Sequence, residues 1–184
     1  MTGIRFVRSI AAALLAVSLT PCHAAIAHTS VEPPAGLKEQ ALREANTARA
    51  RYGARPLTWN AQLYPGTRQR AAGCRFQPSP ITAGYGENLY ATTDLTGTAA
   101  AVTSAFASWM SEAPHYDHTH PGFTPETGNF SQVVWKGTTQ LALSVARCPA
   151  GTVFPSAGYF VVARFTPPGN FLSRFAQNVG RPVA

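Results

Sequence analysis

The sequence is poor in acidic residues and has no long apolar run beyond Leu19. It contains 8 Asp and Glu against 15 Lys and Arg, which gives a formal net charge of +7 over 184 residues. The basic residues are not interleaved with aromatic ones as in nucleic-acid-binding domains, so nucleic acid is not an expected partner. Because a membrane-spanning helix needs about 20 apolar residues, the chain is not expected to cross a membrane.

The apolar run that is present lies at the N-terminus. Arg5 and Arg8 precede residues 10–19, a stretch that is too short to span a bilayer and is typical of a secretory signal peptide. Small residues place the cleavage after Ala24 or, alternatively, after Ala27. The sequence therefore predicts a soluble mature chain that is secreted or periplasmic.

A lipoprotein is a minor alternative, in which Cys22 would carry the lipid. Acylation requires a small residue directly before the cysteine, and Pro21 occupies that position. The predicted product is therefore a cleaved chain without a lipid anchor.

The mature chain keeps its basic character. Removal of Arg5 and Arg8 leaves 13 basic against 8 acidic side chains, so the formal net charge falls from +7 to +5. Seven arginines lie within residues 43–75. Such a concentration indicates either an anionic envelope partner or arginines on solvated helix faces, and we expect the solvated faces.

The remaining length of about 160 residues fits one domain. Apolar spacing predicts a helix over residues 37–52 and another over 98–112, with a helical stretch after Thr58 that Pro65 kinks or divides. Three β-like runs follow, at residues 130–135, 140–147 and 159–165. This order of elements predicts an α+β protein.

Several short motifs occur in an order that is specific in combination. They are Ala45-Asn46-Thr47-Ala48-Arg49, Pro56-Leu57-Thr58-Trp59-Asn60, Gly86-Glu87-Asn88-Leu89, Trp109 with Glu112 and Tyr116, Pro121-Gly122-Phe123, and the stretches 128–148 and 160–171. The set resembles the CAP superfamily, the cysteine-rich secretory, antigen 5 and pathogenesis-related 1 proteins. The resemblance implies an α-β-α sandwich, in which a three-stranded antiparallel sheet lies between helices.

The resemblance also sets the expected boundaries of the chain's parts. These are a signal peptide at residues 1–24, with cleavage as late as 27, a linker at 25–36, the CAP domain at 37–171 and a C-terminal tail at 172–184.

Two cysteines follow the signal peptide, Cys74 and Cys148. An oxidising compartment favours a disulfide between them. In the family, however, the positions that should partner these two correspond to Thr127 and Ala163 here. Both alternatives therefore stay open, a Cys74–Cys148 disulfide or two buried free thiols.

The resemblance implies a degenerate metal site. In the family, two glutamates and two histidines converge on an open cavity that can hold Zn²⁺ or a similar ion. The glutamates correspond to Glu87 and Glu112, whereas the histidines correspond to Pro78 and Asn129. Proline has no side-chain donor atom and an asparagine amide is a poor zinc ligand, so we expect neither a metal nor a cofactor. Both carboxylates would then lack their metal or cationic partner.

Three histidines offer an alternative metal site close to Glu112. His115, His118 and His120 follow it, but Pro114 is expected to break the helix that would place Glu112 and His115 on one face. Histidines in a solvated loop are the expected outcome.

Catalysis is not expected from these residues. Glycoside cleavage by Glu87 and Glu112 would need a sugar cleft, and Ser131 lies beside Asn129 rather than a histidine that could act as its base. We expect structural roles instead, with Glu87 accepting backbone amides in the loop 84–86 and Glu112 tying down a helix end.

The sequence therefore predicts a monomeric, non-enzymatic CAP protein that binds a lipid or sterol-like molecule between helices, or an envelope or extracellular partner. One alternative is a metal-dependent or carboxylate-pair hydrolase or effector that uses Glu87 and Glu112. A further alternative is an envelope protein that acts through its basic face.

Overall fold

The computed structural model describes residues 31–80 and 84–183. The expected signal peptide, its cleavage sites and Cys22 lie outside the described residues. In chain order the elements are α1 (Leu37–Ala50), β1 (Thr58–Trp59), α2 (Tyr64–Ala72), β2 (Gly86–Thr92), α3 (Thr98–Met110), a 3₁₀ turn (Ala113–His115), α4 (Gly128–Val133), β3 (Gln140–Cys148), β4 (Gly158–Thr166) and α5 (Phe175–Asn178). None of the helices in these residues combines the length and the apolar character that a membrane crossing requires.

The strands form one sheet in the order β1-β3-β4-β2. β4 pairs antiparallel with β2 on one side and with β3 on the other. A three-stranded antiparallel sheet is what the resemblance implied, but β2 was not among the predicted β-like runs, and the two-residue β1 adds a fourth strand that runs parallel to β3. The predicted α+β class is confirmed.

Side chains of β4 alternate between two hydrophobic layers, as expected for a strand that is covered on both faces. Val161, Ala163 and Phe165 belong to the large cluster formed with α1, α3 and α4. Phe160 and Val162 belong to a smaller cluster on the other face, where Ala71 of α2 packs. The sheet therefore lies between helices, which confirms the predicted α-β-α sandwich.

The two helices with a clear 3.6-residue pattern form as predicted. In α1, the buried positions Leu37, Ala41, Ala45 and Ala48 recur three or four residues apart. In α3, the corresponding buried positions are Val102, Ala105, Phe106 and Trp109. Both helices end two residues before the predicted boundary.

The helix expected around Pro65 begins later and is not kinked. α2 starts at Tyr64, so Pro65 occupies its first turn. A proline is tolerated there because the first turn has no intrahelical partner for its missing N–H. Thr58, after which the helix was expected to begin, lies in the strand β1.

The strand predicted at residues 130–135 is wrong, because Gly128–Val133 is the helix α4. Phe130, Ser131, Gln132 and Val133 are all buried, so no polar face reveals the helical period. Gly86, expected in the loop 84–86, is instead the first residue of the strand β2 at residues 86–92.

Arg49 differs from the rest of the basic run at residues 43–75. Arg43, Arg51, Arg55, Arg68 and Arg75 are exposed, as expected for solvated faces. Arg49 is 0% exposed, and its guanidinium donates to the backbone carbonyls of Arg55, Val133, Trp135 and Thr138. The solvated reading is therefore wrong for this residue, which joins α1 to the segment between α4 and β3.

The disulfide between Cys74 and Cys148 is present, with an S–S distance of 2.01 Å. It links the residues that follow α2 to the last residue of β3. At the C-terminus, α5 places Phe175 and Val179 in the core, where they are 2% and 4% exposed. Residues of the expected tail therefore pack on the domain.

Candidate functional site

A pocket of about 520 Å³ lies at the start of β2. Its walls are the segment 78–80 after α2, the residues 85–87 that enter β2 and the segment 168–172 after β4, together with Phe123 and Gln132. Of the four predicted cavity residues, Pro78 and Glu87 line this pocket, whereas Glu112 and Asn129 are not part of its lining.

Glu87 is held by a nearby serine and by an arginine on the neighbouring strand. Its carboxylate accepts from the Ser79 backbone N–H and hydroxyl, both at 2.9 Å, and from Nε of Arg164 at 3.0 Å. The side chains of Arg164 and Glu87 are 8% and 6% exposed. The predicted donors from the loop 84–86 are wrong, and the carboxylate has a cationic partner after all.

The Arg164 side chain also packs on an aromatic ring. Its guanidinium carbon lies 4.1 Å from the centre of the Tyr85 ring, which lines the pocket. An aromatic face at this distance attracts a guanidinium. Glu87, Arg164 and Tyr85 thus form one packed unit at the pocket.

Glu112 caps the start of α4. Its carboxylate accepts from the backbone N–H groups of Asn129 and Phe130, both at 2.9 Å, and from Nδ2 of Asn129 at 2.7 Å. These N–H groups belong to the first turn, where no intrahelical acceptor exists, and a negative charge there also complements the helix dipole. Glu112 itself follows the end of α3, so it ties α3 to α4.

Asn88 lies next to Glu87 in β2 and contacts α4, the helix that Glu112 caps. Its Nδ2 donates to the backbone oxygen of Asn129 at 3.0 Å. Neighbouring residues in a strand point to opposite faces of the sheet, so Glu87 lies on the α2 face, opposite Arg164, and Asn88 lies on the α4 face. The two carboxylates therefore hold separate sets of partners.

The residue types at these positions do not fit the metal site that the family implies. Pro78 offers no ligand atom, and the Asn129 amide donates to Glu112. In the part of the chain that the structure describes, no three His, Cys, Asp or Glu side chains cluster closely enough to hold an ion.

The histidines after Glu112 lie in a turn that is organised by Asp117. His115 is in the 3₁₀ turn, where Pro114 follows the end of α3. Asp117 accepts from the backbone N–H groups of Thr119 and His120 and pairs with the His120 ring at 3.0 Å. The two backbone donors hold the pKa of Asp117 down to about 2. Burial lowers the pKa of His118, whereas His115 and His120 are exposed.

Ser131 is placed for structure rather than for nucleophilic attack. It is 0% exposed, and its hydroxyl donates to Oδ1 of Asn170 at 2.8 Å. Asn170 in turn donates to the backbone oxygen of Gly128 at 2.8 Å. These contacts fasten the segment 168–172 to α4.

Gln132 is a buried pocket residue that the sequence did not single out. Its Oε1 accepts from the Gly169 N–H at 2.8 Å, and its Nε2 donates to the Thr138 hydroxyl at 3.2 Å. A Cβ at Gly86 would overlap the same Oε1, so a side chain there would have to displace the Gln132 amide. Gln132 therefore sets the spacing between β2 and the wall at 168–172.

The missed site residues carried little signal in the sequence. Arg164 becomes a partner of Glu87 only through the strand register that places the two opposite each other. Phe171 ends the motif at 160–171 and Leu172 follows it, and no periodic pattern marks either residue.

Comparison with known proteins identifies relatives of this chain. The model of the cysteine-rich secretory protein (CAP) family matches residues 42–165. A probable pathogenesis-related protein of Arthroderma benhamiae is 31% identical over 158 residues, covering 79% of this chain and 50% of that protein. The chain thus spans half the length of this relative. The human Golgi-associated plant pathogenesis-related protein 1 is 32% identical over 152 residues, covering 78% of this chain and 92% of that protein.

A solved structure shares the fold. The crystal structure of NaASP2 with Zn²⁺ matches with a TM-score of 0.65 and 21% identity, covering 79% of this chain and 86% of that one.

Proposed function

Because the chain belongs to the cysteine-rich secretory protein (CAP) family, we propose that it is a secreted, non-catalytic protein that binds an apolar small molecule of lipid or sterol type. The binding site is the pocket at the start of β2, which replaces the groove between helices that the sequence suggested.

The composition of this pocket is the observation that carries the proposal. Its volume of about 520 Å³ lies within the roughly 300–1,000 Å³ that small-molecule sites occupy. Three large apolar side chains and three prolines contribute to its walls, namely Phe123, Phe171, Leu172, Pro78, Pro80 and Pro168. An apolar molecule would remove these surfaces from water, which is the main driving force for such binding.

The charges near the pocket also favour an apolar ligand. Glu87 is the acidic residue of the lining, and its carboxylate is neutralised by Arg164. An apolar molecule can therefore enter without burying an unpaired charge, which would be costly.

The contacts of the candidate catalytic groups support a non-catalytic role. A carboxylate-pair hydrolase needs an acid and a base that face one substrate. Here Glu87 accepts from Ser79 and Arg164, while Glu112 accepts from the start of α4. Each carboxylate therefore has a structural use that accounts for its position.

Titration with a fluorescent fatty acid, cis-parinaric acid, and with the sterol dehydroergosterol tests the proposal. We expect saturable binding at one site, weakened about tenfold or more by Pro78→Asp, because an added carboxylate at an apolar wall must be desolvated. Pro56→Asp is the matched control, since Pro56 is also exposed but lies outside the pocket lining.

Two results would count against the proposal. One is wild-type protein that binds neither probe, and the other is equal weakening by Pro78→Asp and Pro56→Asp. Hydrolysis of a p-nitrophenyl ester that Glu112→Gln abolishes at unchanged thermal stability would favour the hydrolase instead.

A further inference from the structure

The mouth of the pocket carries an unusual share of the exposed apolar surface. Seven large hydrophobic side chains are strongly exposed in the described residues, and three of them line this one pocket. Leu172 is 77% exposed, Phe171 51% and Phe123 50%. Single exposed apolar residues are common, but a contiguous group usually marks an interaction surface. We call these three residues the apolar rim.

Phe171 and Leu172 are flanked on both sides by residues with a left-handed backbone conformation. Asn170 and Ser173, which flank them, have φ values of +60° and +65°. Residues other than glycine rarely adopt this left-handed conformation. The exposed pair therefore lies between two residues in an uncommon backbone conformation.

The residues on either side of Phe171 and Leu172 are anchored to the rest of the protein. On one side, the Asn170 side chain donates to the Gly128 oxygen at 2.8 Å. On the other side, Phe175 is 2% exposed in the core. Since both ends of the short segment are anchored, its apolar side chains stay at the surface rather than folding back.

A basic residue flanks the rim, since Arg174 follows Leu172 and Ser173 directly and is exposed. Glu126 is the nearby exposed acid on the Phe123 side, while Glu87 is paired with Arg164. Without Arg5 and Arg8 of the predicted signal peptide, the formal net charge of the chain is +5. A positively charged protein with a protruding apolar tip matches an anionic bilayer in both charge and polarity.

We propose that the apolar rim docks on the surface of an anionic lipid membrane, with Leu172 and Phe171 inserted among the acyl chains and Arg174 at the headgroups. This orientation turns the pocket mouth toward the bilayer, so an apolar molecule passes between membrane and pocket without crossing water. The docking step stands on the rim alone. The transfer of a ligand rests on the proposed function.

Co-sedimentation of the purified protein with lipid vesicles tests the docking step. Vesicles of phosphatidylcholine and phosphatidylglycerol are compared with vesicles of phosphatidylcholine alone, without any added pocket ligand. We expect binding to the anionic vesicles that added salt weakens, because headgroup attraction is screened. Leu172→Ser should reduce the affinity about tenfold, since it removes one inserted side chain. Arg174→Gln should reduce the affinity severalfold at low salt and less at high salt.

Leu95→Ser is the matched control, because Leu95 is 41% exposed and lies outside the pocket lining. Leu172→Trp gives an independent readout, since a tryptophan that enters the bilayer interface shifts its emission to the blue. Circular dichroism of each variant separates misfolding from a loss of docking.

Three outcomes would overturn the proposal. They are equal affinity for neutral and anionic vesicles, equal effects of Leu172→Ser and Leu95→Ser, and a concentration-dependent dimer that Leu172→Ser abolishes, which would make a second copy the occupant of the rim. Vesicle binding that persists in Pro78→Asp, when cis-parinaric acid binding is lost, separates docking from ligand binding.

Discussion

The Arg164 guanidinium donates to the Glu87 carboxylate at 3.0 Å across the β2–β4 pair, with the two side chains 8% and 6% exposed. In this chain, an arginine supplies the positive charge beside the pocket acid.

Loss of one partner from this buried pair should strongly destabilise the fold. We expect Arg164→Met to lower the free energy of unfolding by about 3 kcal/mol, because it leaves Glu87 charged and buried without its cation. Arg164→Met combined with Glu87→Gln should recover part of that loss. Urea unfolding measures both, with the exposed Arg147→Met as the control. Equal effects of Arg164→Met and Arg147→Met would show that the ion pair is not a structural element.

Arg49 should be a second determinant of stability. Its buried guanidinium donates to four carbonyls, and burial lowers its pKa to about 10, so it remains charged at neutral pH. Arg49→Met should cost about 3 kcal/mol or more, since several buried carbonyls lose their donor. Arg49→Lys should restore only part of the lost stability, because an ammonium has three N–H donors and lacks the planar, forked arrangement of the guanidinium donors. Urea unfolding of Arg49→Met is compared with that of the exposed control Arg51→Met. A smaller loss of unfolding free energy in Arg49→Met than in the control would contradict this role of Arg49.

A side chain at Gly86 should be tolerated only at a cost in stability. Gly86→Ala places a Cβ 1.8 Å from Oε1 of Gln132, which must then move away from the Gly169 N–H. We expect a loss of about 1–3 kcal/mol in urea unfolding, together with weaker binding of cis-parinaric acid because the pocket wall shifts. Gly122→Ala is the control, since a Cβ added there would lie 4.0 Å from the His120 backbone oxygen. Unchanged stability and binding in Gly86→Ala would contradict the role assigned to Gln132.

Sequence patterns were sufficient where burial follows a period. α1 and α3 each have one apolar face, so their spacing identified them. α4 has Phe130, Ser131, Gln132 and Val133 all buried, so its residues looked like a strand. The missing imidazoles at Pro78 and Asn129 could be read from the resemblance. The partner Arg164 of Glu87 could not be predicted from the sequence. It is 77 residues away in the chain, and only the strand register places it opposite Glu87.

Asp117 should give the turn at residues 117–120 a distinct response to acid. The pKa of Asp117 is lowered to about 2 because Thr119 and His120 donate to the carboxylate. A lowered pKa means that the folded turn favours the charged form, so its contribution is present above about pH 4 and is lost as the pH falls toward 2. NMR titration of the Asp117 carboxyl carbon should show a midpoint well below that of an ordinary aspartate. A midpoint near pH 4 would show that these hydrogen bonds do not form in solution.

Native mass spectrometry of the protein, purified without added metal or lipid and then mixed with equimolar zinc and cis-parinaric acid, tests the central claim most directly. We predict a 1:1 complex with the fatty acid that Pro78→Asp weakens, and no specific zinc adduct. A stoichiometric zinc complex that Glu87→Gln removes, without retention of the fatty acid, would contradict the account.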